Sequence, residues 1–348
     1  MGRYLNNKNK KDSGEKLLIS YNVGIDNQLG GHFTNKGSYT IITGNTGSAK
    51  TKFTKAITVH AALKYKQAGN KCKILWFALE ESKEEFWDGL VSAELAKLGL
   101  YYSPMELLNF TNTEIPLAHI MLAEEILDNI CEEYDFLEII THLSHPYGIY
   151  NHVREYMHTI GQDVKEHKII DEKQIEVVTG YNKNENVTVF AVIDHLTFVS
   201  SENGKTKWDS FSHFSKEYLS RQLKDRFGVN VILVQQQASE TEREEFWQGK
   251  TIATKLYPSL NGLSEYKNTQ QEATLVLGLF SPSKYEIEKI GGFDITKLKD
   301  RFRVVTVLKD RYFGLLGTKM PFYFNGATNE FKYMTMTLYE TTLKNLNK

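Results

Sequence analysis

Short apolar runs rich in valine and isoleucine alternate with longer stretches of helical period along most of this chain. Continuous apolar runs of this length are typical of strands buried on both faces of a sheet. The predicted strands cover 39–43, 73–79, 136–141, 187–193, 229–234, 273–280, 303–308, 321–324 and 331–334. The predicted helices cover 52–65, 83–134, 149–160 and 211–227. This alternation favours an α/β fold with a mostly parallel central sheet and helices on both faces.

Two stretches interrupt the alternation, and both chain ends differ from the middle. Residues 161–186 are polar and charged, and we interpret them as an excursion inserted before the next strand. Residues 238–271 are polar and weakly periodic, and a loop of that length inside a compact domain is usually functional. A short strand and turn are predicted within 17–31. We expect residues 1–15 to form a flexible N-terminal tail and 335–348 a C-terminal tail.

A glycine-bearing loop lies between the first predicted strand and the first predicted helix. Its residues are Gly44, Asn45, Thr46, Gly47, Ser48, Ala49, Lys50 and Thr51. In the order strand, loop, helix, backbone N–H groups converge on one point where the helix dipole favours an anion. Lys50 would place its ammonium against the β- and γ-phosphates of ATP, and the Thr51 hydroxyl would ligate Mg²⁺. The sequence therefore predicts a phosphate-binding loop.

One position departs from the usual pattern G-x-x-x-x-G-K-[ST]. Ala49 occupies the place of the second glycine, whereas Gly44 and Gly47 remain. The residue before the lysine lies where the chain turns into a helix. We therefore expect Ala49 to need no positive φ, and the loop to be slightly bulkier but functional.

Acidic residues end two of the buried strands. Asp194 follows the run 187–193 in the Walker B arrangement, in which a carboxylate beside the phosphate loop holds Mg²⁺. Glu80 follows the run 73–79, where a carboxylate can orient and deprotonate an attacking water. Glu81 is a rival for that role by sequence alone. Both glutamates also suit an acidic first helical turn stabilised by the dipole.

Polar residues end two further strands. Gln236 is placed to hydrogen-bond a γ-phosphate, and the glutamines on either side of it remain alternatives. Lys309 and Arg311 end the run 303–308. A cation that reaches the γ-phosphate stabilises the transition state, and in assemblies it can come from a neighbouring subunit. The alternative for this pair is a solvated turn with an internal ion pair.

Composition and charge restrict the class of protein. The chain has 348 residues and a net charge of −1, so nucleic-acid binding would require a local basic patch. Cys72 and Cys131 lie far apart and form no disulfide framework or zinc spacing, which suits a reducing cytosol. The longest apolar runs fall far below the ~18 residues that span a bilayer. We therefore expect a cytoplasmic protein without membrane contact.

Five segments occur in one order along the chain. They are Trp-Phe-Ala-Leu-Glu-Glu-Ser (76–82), Val-Ile-Asp-His-Leu (192–196), Val-Asn-Val-Ile-Leu-Val-Gln-Gln (229–236), Val-Leu-Lys-Asp-Arg (307–311) and Phe324-Asn325-Gly326. Their order and spacing resemble the ATPase domain of DnaB-type replicative helicases, within the RecA-like motor class of P-loop NTPases. The resemblance covers about 17–334, and we take 16–334 as one RecA-like domain.

This resemblance implies a part in ATP hydrolysis for each polar strand end. The implied parts are phosphate and Mg²⁺ contacts from Lys50 and Thr51, the catalytic base Glu80, the Walker B acid Asp194, the γ-phosphate sensor Gln236, and the cations Lys309 and Arg311 given to the adjacent subunit's ATP. It also implies a hexameric ring around single-stranded DNA, with loops of 238–271 lining the channel. Candidate DNA-phosphate contacts there are Arg243, Lys250, Lys255 and Lys267.

Two features depart from that family. Its members commonly carry an N-terminal helical domain that binds primase, whereas only 1–15 precedes the motor here; the excursion 161–186 is also unusually long. We expect a compact, divergent form such as a virus encodes. The expected function is an ATP-dependent DNA helicase, with single-stranded DNA, further copies of itself and a primase or other replication proteins as partners. The alternatives are a RecA/RadA-like recombination ATPase that forms filaments and a non-hydrolysing, ATP-bound scaffold.

Overall fold

A computed structural model describes residues 37–108, 111, 113–170, 173–184, 187–242, 246–247, 250–251, 256–312 and 314–346. The expectations for 1–15 and 17–31 lie outside the described residues. The strands are β1 (Ser38–Gly44), β2 (Lys71–Ala78), β3 (Leu137–Ile140), β4 (Gly161–Ile170), β5 (Lys173–Lys183), β6 (Val187–Asp194), β7 (Asn230–Gln236), β8 (Phe246–Trp247), β9 (Lys250–Thr251), β10 (Leu275–Phe280), β11 (Lys289–Ile290), β12 (Phe293–Asp294), β13 (Phe302–Asp310), β14 (Lys319–Asn325) and β15 (Glu330–Tyr333).

Helices lie between most of these strands. They are α1 (Lys50–Gln67), α2 (Lys83–Lys97), α3 (Pro104–Leu107), α4 (Leu117–Glu133), α5 (Pro146–Thr159), α6 (Lys207–His213, continued as a π-helix over Phe214–Arg226), α7 (Thr269–Glu272), α8 (Ile295–Leu298) and α9 (Met336–Leu346). Short 3₁₀ turns cover Leu196–Phe198, Ser239–Glu242, Leu260–Gly262, Pro282–Tyr285 and Lys299–Arg301. No helix within the described residues combines the length and apolar character that crossing a bilayer demands.

Nine of the described strands form one sheet, in the spatial order β15-β14-β13-β10-β1-β7-β6-β2-β3. The six strands from β10 to β3 run parallel to one another. Strands β13, β14 and β15 continue the sheet in antiparallel pairs. The predicted mostly parallel central sheet is therefore confirmed, with an antiparallel extension on one side.

Both faces of the sheet are covered by helices. Successive strand residues point to opposite faces, so Ile42 packs in one buried cluster with Phe53 of α1, while Ile41 packs in another with Phe214 of the helix after β6. A third buried cluster, which includes Phe302 at the start of β13, lies beneath the C-terminal elements. The predicted helices on both faces of the sheet are confirmed.

The helical region expected over 83–134 consists of separate helices. Helix α2 begins with a reciprocal capping box, in which the Ser82 hydroxyl accepts from the Glu85 N–H and the Glu85 carboxylate accepts from the Ser82 N–H. The helix ends before Gly99, whose φ of +84° is readily adopted by glycine. Helices α3 and α4 follow as independent elements.

The excursion 161–186 contains a β-hairpin outside the main sheet. Strands β4 and β5 pair with each other in antiparallel register. Near its base, Arg226 forms an ion pair of 2.7 Å with Asp163, and the Tyr181 ring packs edge-on against Phe227 at 4.9 Å. The hairpin is therefore attached to the end of the long helix that precedes β7.

The C-terminal segment expected as a tail contains helix α9. Tyr339 of this helix is buried, and its ring meets Phe293 edge-on at 5.4 Å. The Tyr339 hydroxyl also accepts a hydrogen bond from the Asp294 N–H at 3.1 Å. Helix α9 therefore packs onto the small hairpin formed by β11 and β12.

Strand direction decides which residues meet. The carboxyl ends of the six parallel strands lie on one edge of the sheet, hereafter the loop edge, where ligands of such folds bind. Gly44, Asp194 and Gln236 end strands at this edge, and Glu80 follows just after β2. Strand β13 runs the other way, so its carboxyl end at Asp310 lies on the opposite edge.

Candidate nucleotide site at the loop edge

The loop from Gly44 to Thr51 is tightly folded on one side and open on the other. A Cβ at Gly44 would lie 2.5 Å from the Leu279 carbonyl oxygen and 2.5 Å from the Ser48 hydroxyl, so only glycine fits there. Gly47 has a φ of +76°, and a Cβ at this position would have no neighbour within 4 Å. The open side leaves the backbone accessible for close approach by a phosphate.

The expectation that Ala49 needs no positive φ is wrong. Ala49 is in the left-handed region, with φ 71° and ψ 37°. This conformation costs an L-residue about 1–2 kcal/mol. The Ser48 carbonyl just before it accepts a hydrogen bond of 3.3 Å from Nε of the buried Arg303. The tight loop therefore sets the backbone of Ala49, and β13 helps to hold it.

The structure brings Thr51 and Asp194 into contact, next to Lys50. The Lys50 ammonium donates to the Asn45 carbonyl at 3.1 Å, inside the loop. The Thr51 hydroxyl donates to Oδ1 of Asp194 at 3.1 Å. Burial, followed by the charge of Glu81, raises the pKa of Asp194 to about 7. A hydroxyl and a carboxylate oxygen side by side form a hard oxygen donor set that fits Mg²⁺.

The two neighbouring glutamates have different surroundings. The Glu81 carboxylate forms an ion pair of 2.7 Å with Lys55, whose side chain is 6% exposed. Burial raises the pKa of Glu81, and the charge of Lys55 partly offsets that rise. Glu80 is 55% exposed and borders the same cleft as Lys50. Glu80 therefore faces the cleft beside Lys50, whereas Glu81 is paired with Lys55 and lines only the adjoining cavity, with Thr51 and Asp194, among the cavities described for these residues.

The three glutamines at the end of β7 are also separated by the structure. Gln235 is buried, and its amide donates to the carbonyls of Ser264 and Tyr266. Gln237 is buried on the same side and donates to the Thr43 hydroxyl at 2.9 Å. Gln236 points the other way and borders the cleft. The structure thus leaves Gln236 as the glutamine available to a nucleotide.

A cleft of about 390 Å³ joins these groups. Its lining includes Lys50, Thr51, Glu80, His195, Gln236 and Arg303. The sequence pattern predicts no role for His195 or Arg303. His195 directly follows Asp194 in the segment 192–196, which is a local signal, whereas Arg303 lies in a strand far along the chain and has no such signal. Arg303 also stacks over the Phe324 ring, 4.4 Å from its centroid.

Lys309 and Arg311 do not join this cleft. Asp310 between them pairs with Leu275, whose partner in β1 is Thr40, toward the amino end of that strand. The ammonium and guanidinium groups both donate to the backbone carbonyl of Gln271. Burial, followed by the charge of Arg311, lowers the pKa of Lys309 to about 8. The two cations therefore lie at the edge opposite the loop.

The candidate DNA-binding stretch 238–271 is hydrogen-bonded to β7. The Gln236 carbonyl accepts from the Ser264 N–H and from the Ser264 hydroxyl, both at 2.9 Å. Lys267 and Gln236 border a second cavity of about 730 Å³. Arg243 and Lys255 lie outside the described residues, and only the backbone of Lys250 is described. Their proposed contacts with DNA stay predictions.

Comparison with known proteins finds matches by structure but none by sequence. No family model matches this sequence, and a sequence search finds no match among curated proteins. Solved structures do match. One is an ATPase domain with a TM-score of 0.63 and 15% identity, for which 95% of this chain and 97% of that chain are covered. A second is that of a DnaB-like replicative helicase and its interactions with primase, with a TM-score of 0.63 and 14% identity.

The chain has the RecA-like fold of DnaB-type ATPase domains. The second match covers 96% of this chain and 68% of the other, so the shared fold accounts for nearly the whole chain. The predicted α/β RecA-like class and the resemblance to DnaB-type ATPase domains are confirmed. At 14% to 15% identity the likeness establishes the fold, and activity has to be argued from the site.

Proposed function

We propose that this protein is an ATP-dependent DNA helicase of the DnaB type, which hydrolyses Mg-ATP between copies of itself and moves on single-stranded DNA. One observation carries the proposal. The phosphate loop with Thr51, Glu80 and Gln236 border one cleft at the loop edge, and Asp194 accepts a hydrogen bond from Thr51 and lines the adjoining cavity with Thr51 and Glu80. A non-hydrolysing scaffold would need the loop but has no use for an exposed carboxylate beside it.

Each residue of the cleft has a distinct part in hydrolysis. The loop N–H groups and the Lys50 ammonium bind the β- and γ-phosphates. Thr51 and Asp194 hold Mg²⁺, which when bound neutralises charge on the phosphate oxygens. The Glu80 carboxylate orients the attacking water and accepts its proton. The Gln236 amide donates to a γ-phosphate oxygen, so the position of its side chain depends on whether that phosphate is present.

The cations of the opposite edge complete the site of a second copy. Lys309 and Arg311 are too far from their own loop to reach its phosphates, because the height of the sheet lies between them. Supplied by a neighbour, they stabilise the negative charge of the transition state. We therefore propose an oligomer, a hexameric ring, in which each nucleotide lies between two copies.

Strand β7 connects the nucleotide cleft to the stretch proposed to bind DNA. Gln236 faces the cleft with its side chain and holds Ser264 of the stretch 238–271 with its carbonyl. A shift of Gln236 on phosphate binding or loss would move that stretch, which we propose lines the DNA channel. One of the matching structures is of a DnaB-like helicase and its interactions with primase. We propose a primase or another cytoplasmic replication protein as a partner here too.

The test combines three measurements on the purified full chain. We expect Mg²⁺-dependent ATPase activity stimulated by single-stranded DNA, unwinding of a forked duplex, and closed rings in electron micrographs with nucleotide. Open filaments on single-stranded DNA without unwinding would instead favour a recombination ATPase. ATP binding without turnover in any oligomeric state would identify a scaffold, and no binding at all would refute the nucleotide site.

A further inference from the structure

His195 lies in the cleft between the two groups assigned to water activation and phosphate sensing. Its Nε2 atom is 3.2 Å from Oε2 of Glu80 and 3.4 Å from Nε2 of Gln236. The imidazole is buried, with 2% of the residue exposed. Its other ring nitrogen, Nδ1, has no hydrogen-bond partner among the described residues. One nitrogen therefore faces both groups.

The Nε2 atom has one hydrogen or one lone pair to offer to the two groups. With a hydrogen, Nε2 donates to the Glu80 carboxylate and has nothing to offer the N–H of Gln236. Without a hydrogen, Nε2 accepts from Gln236 and repels the carboxylate through its lone pair. If the side-chain amide of Gln236 is flipped by 180°, its oxygen faces Nε2 and competes with Glu80 for the same hydrogen. In every arrangement, engagement of Gln236 weakens or removes the hydrogen bond between the nitrogen and Glu80.

We propose that His195 is a positioning residue that holds Glu80 in place for hydrolysis only when Gln236 is engaged elsewhere, on the γ-phosphate. This inference rests on the proposed function, because it explains how hydrolysis in the cleft depends on the presence of the γ-phosphate. When Gln236 turns to a γ-phosphate, Nε2 is left to Glu80 alone and fixes the carboxylate toward the water. When the phosphate leaves, Gln236 returns and Glu80 is released.

The surroundings of His195 suit this role. The Phe198 ring packs on the imidazole at 4.7 Å between centroids, which limits its rotation. Backbone hydrogen bonds tie β6 to the strand that precedes Glu80, with the Leu79 N–H donating to the Asp194 carbonyl at 2.9 Å. The imidazole is thus fixed relative to both strand ends, while the Glu80 and Gln236 side chains remain free to change partner.

Three substitutions separate positioning from packing. His195→Gln places an amide near the position of Nε2, His195→Asn places one near Nδ1, and His195→Leu removes both. We expect Asn and Leu to lower kcat about 10- to 100-fold while Gln retains most of it, because the loss is one of geometry at the base. KM for ATP and the affinity for a fluorescent ADP analogue should change by no more than about twofold in all three.

A double-mutant cycle tests the competition. Gln236→Ala removes the competitor and leaves Nε2 to Glu80, so His195→Leu and His195→Asn should lower kcat at least as much in the Gln236→Ala background as in the wild-type background. Equal kcat in Gln, Asn and Leu variants, or an effect of His195→Leu that disappears in the Gln236→Ala background, would overturn the inference while wild-type ATPase upheld the proposed function. A wild-type protein without ATPase activity would overturn both. If the Leu variant does not fold, the Asn variant carries the same comparison.

Discussion

The two edges of the central sheet differ in what they can do alone. At the loop edge, the loop of Gly44–Thr51, Glu80 and Gln236 border one cleft, and Asp194 accepts a hydrogen bond from Thr51 beside it. At the opposite edge, Lys309 and Arg311 donate to carbonyls of their own chain, at Gln270 and Gln271. One edge therefore has the groups that we propose to bind Mg-ATP, and the other has two cations that no group of the cleft can reach.

The distance between the edges explains the division. Lys309 and Arg311 are level with the amino end of β1, and the loop begins at its carboxyl end. The strand from Thr40 to Gly44 alone spans roughly 13 Å at ~3.3 Å per residue. No side chain crosses that height, which is why we propose that these cations act on the triphosphate of another copy. On this proposal, one chain carries two halves of different sites.

The largest effect should come from the cation edge. Arg311→Ala should lower kcat roughly 10³- to 10⁵-fold, since an arginine supplied in trans stabilises the transition state by that factor. Single-turnover ATP hydrolysis in the presence of single-stranded DNA measures it. Arg221→Ala is the matched control, because Arg221 is an exposed helix arginine paired only locally with Glu217.

A mixing experiment tests the division between the two edges directly. Arg311→Ala and Glu80→Gln proteins, each inactive alone, should regain activity when combined. At some interfaces in the mixed oligomer, a subunit with an intact Glu80 then lies next to a subunit with an intact Arg311. If the mixture stays inactive although the two variants co-assemble, the assignment of Arg311 to a neighbouring site is refuted.

Neighbouring glutamates test the loop edge. Glu80→Gln should lower kcat about 10²- to 10⁴-fold and retain ATP binding, because it removes the base and keeps the shape. Glu81→Gln should keep turnover but lower the free energy of unfolding by about 2 kcal/mol, because its ion pair with buried Lys55 is lost. ATPase assays and urea unfolding measure the two effects. The reverse pattern would make Glu81 the base.

The pH dependence of turnover reports the charge of the cation edge. Burial, and to a lesser extent the charge of Arg311, lowers the pKa of Lys309 to about 8. Lys309 is a cation only below that pH. As pH rises through about 8, kcat/KM should therefore fall about 10-fold, well before an ordinary lysine loses its proton. Lys309→Arg should abolish this alkaline decline, because a guanidinium stays charged. An identical decline in the variant would assign it to another group.

The smallest effect concerns the loop itself. Ala49→Gly should raise the free energy of unfolding by roughly 0.5 kcal/mol, since relief of the left-handed alanine exceeds the added freedom of the unfolded glycine. Ala68→Gly is the matched control at the other end of the same helix. Its φ is −84°, so glycine should destabilise there. The urea midpoints of the two variants measure both effects. If Ala68→Gly also stabilised the protein, the positive φ of Ala49 would not be the cause of the gain.

Local patterns predicted most of the elements and the composition of the loop edge. Gly44 through Thr51, the strand before them and the helix after them are readable because period, turn residues and capping depend on neighbours in sequence. The same holds for Asp194, Glu80 and the glutamines, since parallel strands bring their carboxyl ends to one edge. The expectation for Ala49 failed because its φ is set by close packing of the loop against Leu279 and Arg303.

From the amino-acid sequence alone it follows that a phosphate loop, an acidic strand end and a glutamine strand end belong to one α/β fold. Tertiary packing was needed to establish that Glu80 rather than Glu81 borders the cleft, that His195 stands between Glu80 and Gln236, and that the cations lie on the far edge. The physical reason is that strand direction and side-chain facing depend on partners distant in sequence. Hydrophobic patterning reveals that a strand is buried but not which way it runs.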